Sequence, residues 1–258
     1  MSYETLDIRR DARGVVYVTL NVPEKRNVLS ARMIGELTEF AAAPGAARAV
    51  VLAGAGKVFC AGGDLGWMRA QMAADRATRM REARRLAEML QALNTLPLPL
   101  IGRVHGGAFG GGVGLACVCD VAVAEEGTRF GFTETRLGLI PATIGPYVIA
   151  RMGEGRARRV FMSARLFDAA EAVALGVVAR AVPEAGMDAA IEAEVAPYLA
   201  TAPGAVAAAK ALARSLGPRI DADVIDDSVA RLADTWEGDE ARAGTAAFFD
   251  KVPPPWAG

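Results

Sequence analysis

The chain has 258 residues, 52% of them hydrophobic, and 29 Lys+Arg balance 30 Asp+Glu to leave a net charge of −1. That length can bury a full core, and the even charge, with no block of one sign, argues against nucleic acid or an anionic membrane as the main partner. The N-terminal MSYETLDIRRD lacks the apolar run of a signal peptide, and Arg103 and Asp120 interrupt the most hydrophobic region, so no membrane span and a cytoplasmic location are expected.

Residues 14–20 (GVVYVTL) and 49–55 (AVVLAGA) read as buried strands, rich in β-branched residues and bounded by glycine. Between them Ser30 is placed to cap a helix over 31–42, with Met33, Ile34, Leu37 and Phe40 on one face. A long amphipathic helix over 75–94 ends before LPLP, and 96–104 form a proline-introduced strand. Residues 117–126 (CVCDVAVAEE) run from a helix end into a strand. Beyond about residue 143 a strand signal persists only at 175–183, whereas 187–200, 203–216 and 220–236 read as helices. An α/β core over 1–195 followed by a helical region over 196–258 is expected.

The chemistry-bearing residues are few. His105 is the only histidine, which excludes most zinc sites and the nucleophile–histidine systems. Cys60, Cys117 and Cys119 lie in apolar contexts without CxxC spacing and read as buried reduced thiols, so no metal is expected. Two glycine-rich segments, GKVFCAGGDL (56–65) and HGGAFGGGVGLA (105–116), each follow a predicted strand. Neither matches a nucleotide-binding fingerprint. Both offer backbone N–H groups at helix N-termini, and two such amides aimed at one point stabilise an oxyanion, each worth about 10²–10³ in rate. The alternative is that the glycines only permit tight turns and close packing.

The ordered blocks VFCAGGDLGWM, IGRVHGGAFGGGVGLACVCDVAVA and FGFTETRLGLIPATIG resemble the enoyl-CoA hydratase/isomerase (crotonase) superfamily, and NVPEKRNVLS and GRARRVFMSARLFDAAEAVALGVV extend the likeness over most of the chain. The resemblance implies a crotonase-like spiral of ββα units followed by trimerising helices, commonly as two stacked trimers. It also implies a coenzyme A thioester as substrate, with no further cofactor. Its two oxyanion donors map to the amides of Ala61 and Gly111, the latter beside Gly110, and the later of two family glutamates maps to Glu134. The earlier glutamate falls on Gly114. That departure leaves three readings: helix packing, a reaction other than hydration, or room for a bulkier or acidic acyl group.

The blocks around 114–124 and 134–148 resemble bacterial hydratases of 3-methylglutaconyl-CoA, an enzyme group of leucine catabolism, which favours the last reading and an acyl-CoA lyase. The leading rival is double-bond isomerisation on the same scaffold, and a non-catalytic acyl-CoA or RNA binder is the reading from another class. By the same resemblance Lys25 and Arg26 lie near the coenzyme A nucleotide, as do Phe248 and Lys251, often from a neighbouring subunit. Trp67 and Met68 are candidates for the acyl wall, and Arg69 and Arg136 for a cation near an acidic acyl group. Asp64 and Asp120 read more readily as helix caps or loop fasteners, with Asp64 also kept among the candidate binding residues. His105 reads as structural.

Overall fold

The computed structural model describes residues 3–257. Strand β1 (Leu6–Arg10) pairs antiparallel with β2 (Val15–Leu20), and helix α1 (Ala31–Ala42) crosses to β3 (Ala49–Gly54). Helices α2 (Leu65–Ala73) and α3 (Arg76–Asn94) lead to β4 (Leu100–Val104), β5 (Gly107–Phe109) and α4 (Gly111–Val118). After β6 (Val121–Glu125) and β7 (Arg129–Gly131), a 3-10 turn spans Glu134–Leu137. Then come α5 (Gly145–Met152), α6 (Glu154–Phe161), β8 (Leu166–Asp168), α7 (Ala169–Leu175) and β9 (Arg180–Val182). Four helices close the chain: α8 (Met187–Leu199), α9 (Pro203–Leu216), α10 (Ala222–Glu237) and α11 (Asp239–Asp250).

The strands form two sheets, ordered β1-β2-β3-β4-β6-β9 and β5-β7-β8. All neighbours from β2 to β9 in the larger sheet are parallel, as strand–helix–strand crossovers require. Its central strands are buried on both faces. Val50 and Leu52 of β3 join the main core with α1, α3 and α4, while Ala49 and Val51 face a second cluster built on Met187, Ala190, Ile191 and Val195 of α8. The expected boundary at residue 195 therefore falls within a helix that packs on the sheet.

The expected caps and strands form where the local pattern is strong. Ser30 Oγ accepts the Met33 N–H and starts α1. The short strands β5, β7 and β8 were not predicted, because three residues carry too little periodicity to register. Of the expected strand at 175–183, only 180–182 is extended; Leu175 ends α7, and Gly176 (φ +81°) turns the chain.

The third core cluster places the site. Ala83 and Ala87 of α3 pack with Ile225, Val229, Leu232 and Trp236 of α10, with Ala241 of α11 and with Leu139 and Ala142. The last two helices thus fold back onto α3, α5 and the 3-10 turn that carries Glu134. Backbone approaches backbone at this contact: a Cβ on Gly244 of α11 would lie 2.6 Å from the Leu137 carbonyl carbon.

Candidate active site

Three segments converge on one cavity of about 350 Å³: loop 61–63, the start of α4, and the 3-10 turn that carries Glu134. The first loop is held on both sides. Cys60 N–H donates to Gly107 O and Phe109 N–H to Cys60 O, while Ala61 N–H donates to Arg26 O at 3.0 Å and Leu29 N–H to Gly62 O at 2.8 Å. Asn27, wholly buried, fastens the base of this arrangement, accepting from Val22 N–H and donating to the carbonyls of Ala55 and Val58.

These bonds decide which amides remain free. Ala61 N–H is used by Arg26, so the expectation that Ala61 donates to a ligand is corrected. Across a trans peptide the C=O and N–H point in opposite directions. Gly62 O points at Leu29, which turns Gly63 N–H away from Leu29, and Gly63 lines the cavity. The bend depends on Gly62, whose φ of +94° suits glycine. The same logic applies at α4. Gly110 O accepts from Val113 and Gly114, so Gly111 N–H points out of the first turn, and Gly111 also lines the cavity. Of the two loops, these bonds leave the amides of Gly63 and Gly111 open to a ligand.

Among the described residues Glu134 is the only carboxylate lining this cavity, and Arg136 the only other charged group there. The residue is partly exposed, but its Oε2 is out of solvent contact and has no hydrogen-bond partner among the described residues. Burial pushes its pKa up to about 7, opposed only by the nearby N–H groups of Glu134 and Thr133. Gly110, at φ +47°, lies against it: a Cβ there would sit 2.7 Å from Glu134 Oε1. A carboxyl poised near neutrality can both take and return a proton.

The other walls are mostly apolar. Trp67 and Met68 line the cavity from α2, Leu139, Ile140 and Ile144 from the segment after Glu134, and Leu232, Trp236 and Phe248 from the last two helices. Phe248 reaches the cavity from the same chain. Gly114 does not line it, and this corrects its expected place in binding: a Cβ there would lie 2.6 Å from Ile144 Cγ2, so the space beside Gly114 is already filled. Asp64 is corrected too, since its Oδ1 accepts the Trp67 N–H at 2.8 Å and caps α2 outside the lining.

The remaining candidates lie at greater remove. Lys25 and Arg26 are exposed, in the turn whose carbonyl holds Ala61, and Lys251 is an exposed left-handed cap three residues after Phe248. Arg69 stacks 4.6 Å over the Phe249 ring, and Arg136 donates to Ala164 O. Asp120 accepts from Leu100 N–H and Lys210, fastening a loop. His105 Nε2 lies 2.9 Å from Gly56 O. The three cysteines are buried, and burial pushes each thiol up to about 12, which keeps them unreactive. Among the described residues no group of three His, Cys, Asp or Glu is placed to hold a metal, and no helix is long and apolar enough to cross a membrane.

The family model described as Enoyl-CoA hydratase/isomerase matches residues 10–258. The chain belongs to the enoyl-CoA hydratase/isomerase family. This family member is 35% identical to a Rhodobacter capsulatus protein named "Probable enoyl-CoA hydratase", over the whole of both chains. Among solved structures it resembles an enoyl-CoA hydratase of Mycobacterium smegmatis, with a TM-score of 0.79 and 35% identity over 98% of this chain and 99% of that one. It also resembles Pseudomonas aeruginosa AtuE, with a TM-score of 0.78 and 38% identity over 99% and 100%. The crotonase fold and an enzyme of this family acting on CoA thioesters follow. Sequence reasoning missed Gly63 and Ile144, because peptide orientation and a contact spanning 30 positions leave no local signal.

Proposed function

We propose that the chain is a hydro-lyase that adds water reversibly to the double bond of an α,β-unsaturated acyl-CoA. The observation that carries this reading is one cavity in which two unengaged amides, Gly63 N–H and Gly111 N–H, share walls with a lone buried carboxyl, Glu134. In this mechanism the thioester oxygen accepts hydrogen bonds from both amides. Ionised Glu134 takes a proton from water as the water oxygen bonds to the β carbon. The alkene electrons move to the thioester oxygen as an enolate, which the amides stabilise. Glu134 then returns the proton to the α carbon as the enolate collapses, regenerating the carboxylate.

A second reading keeps the same residues. With Glu134 the single carboxylate lining the cavity among the described residues, it can remove a proton from the α carbon of a β,γ-unsaturated thioester and return it at the γ carbon, moving the double bond without water. Neither reading includes a resident metal or redox group.

The apolar walls favour a branched hydrocarbon acyl group. A carboxylated one, as in 3-methylglutaconyl-CoA, would rely on Arg136, the one cation lining the cavity among the described residues. Exposed Met162, Leu166, Leu212 and Leu216 support assembly into trimers or hexamers, which light scattering in solution tests. Lys25 and Arg26 are offered for the nucleotide phosphates on charge alone.

Incubation of a panel of enoyl-CoA thioesters, glutaconyl types included, in deuterated water with mass-spectrometric readout separates the readings. Hydration yields a hydroxyacyl product, isomerisation a shifted alkene carrying deuterium. No turnover of any thioester would overturn both.

A further inference from the structure

The wall beside Gly114 is built with unusual economy. A Cβ at position 114 would meet Ile144 Cγ2 at 2.6 Å, Ile144 Cβ at 3.1 Å and Leu90 Cδ1 at 3.5 Å. The nearest of these atoms cannot withdraw. Ile144 is only 1% exposed and β-branched, so its χ1 is stiff. Its backbone is fixed as well, because its carbonyl accepts the Val148 N–H at 3.0 Å at the start of α5. Glycine at 114 and isoleucine at 144 are thus two halves of one packing solution.

The same isoleucine also faces the cavity shared by Glu134 and Gly111. Gly114 follows Gly111 by three residues, so Ile144 meets α4 about one turn, ~5 Å, from the Gly111 amide. A thioester held by that amide would place its α and β carbons in the cavity that Ile144 lines. We propose that Ile144 is a specificity-determining residue: it fills the space beside Gly114, shuts that wall to water and to any second acid, and selects acyl groups with an apolar substituent at the β carbon.

The inference rests on the acyl-CoA reading of the cavity. Its consequences are separable from that reading. Aliphatic contact discriminates one methyl by about 10–200-fold, so the effect sits in selectivity rather than in the chemical step. Glu134 and Arg136 are the charged groups lining the same cavity, and neither is altered by a change at 144. Opening the wall admits water near the Glu134 carboxyl, which makes its ionised form easier to reach.

The test compares wild type with Ile144→Val and Ile144→Ala on crotonyl-CoA and 3-methylcrotonyl-CoA, reading kcat and KM separately across pH 5–9. In Ile144→Ala the preference of kcat/KM for the branched over the straight thioester falls at least about tenfold, mainly through KM, with Ile144→Val between. The acidic limb of the profile moves to lower pH. An unchanged preference in both variants overturns the role of Ile144 while leaving the acyl-CoA reading intact, whereas absence of turnover by wild type overturns both. Should Ile144→Ala fail to fold, Ile144→Val decides. Thermal melting checks the packing pair itself: Gly114→Ala melts lower than wild type, and Gly114→Ala/Ile144→Ala recovers part of that loss.

Discussion

Loop 60–63 and the helix start at 110–114 both bring glycines to the cavity, but those glycines answer different constraints. The first loop is set by direction. It is strapped to Arg26 and Leu29 on one side and to Gly107 and Phe109 on the other, and the positive φ of Gly62 swings the next amide free. Gly63 itself has open space where a side chain would go. The helix start is set by volume. Gly110 touches the Glu134 carboxyl and Gly114 touches Ile144, so no side chain fits at either. Position 63 therefore tolerates added atoms, whereas Gly62, where a Cβ would lie 2.8 Å from Phe109 O, and Gly110 and Gly114 do not.

The largest effect expected on this comparison comes from the group both segments surround. Glu134→Gln lowers kcat by about 10²–10⁴, the contribution of a positioned general acid–base, with thioester affinity little changed in a direct binding measurement. Next come the amides. Replacing the backbone N–H of Gly63 or Gly111 by an ester oxygen costs about 10²–10³ in kcat. The same replacement at Ala61 lowers melting temperature more than it lowers kcat, because that amide holds Arg26 O. An Ala61 ester as inactive as the Gly63 ester would reverse the assignment.

Asn27→Ala removes a side chain that ties three loop carbonyls and amides together, and destabilises by about 2–3 kcal/mol in chemical denaturation. Gly63→Ala, by contrast, keeps its N–H and meets nothing within 4 Å, so stability and kcat stay within a few-fold of wild type. A large loss there would show that position 63, too, is limited by volume.

The raised pKa of Glu134 gives a stability signature that is independent of turnover. The folded state holds this proton up to about pH 7, above the unfolded carboxyl near 4.5, so stability falls as pH rises through that window. At pH 8 the ionised, buried group costs about 3 kcal/mol by the size of the shift. Glu134→Gln therefore melts above wild type at pH 8 and close to it at pH 4.

How much of this was legible in the sequence follows from how local each cause is. The Ser30 cap, the β-branched strands and the amphipathic face of 75–94 are written within a few residues of where they act. So is the pairing of two glycine-rich loops with Glu134, through the spacing of whole blocks. The choice of Gly63 over Ala61 was not legible, because it turns on which way one peptide plane faces once Arg26 and Leu29 have been satisfied. The filling of the Gly114 space by Ile144 was not legible either. Glycine at 114 suggested an opening, and only the packing of α5 on α4 reveals the side chain that closes it. The cover supplied by Trp236 and Phe248 depends on α10 and α11 folding back across more than a hundred residues of sequence.

The central claim is that Glu134 alone moves protons in a cavity where Gly63 and Gly111 hold the thioester. Steady-state kinetics of wild type and Glu134→Gln on the best thioester of the panel, from pH 5 to 9, test it most directly. Wild-type kcat/KM is expected to rise to a plateau with an apparent pKa near 7, and the variant to be at least about 10²-fold slower and to lack this limb. A variant that retains wild-type kcat, or that keeps the same pH limb, would contradict it.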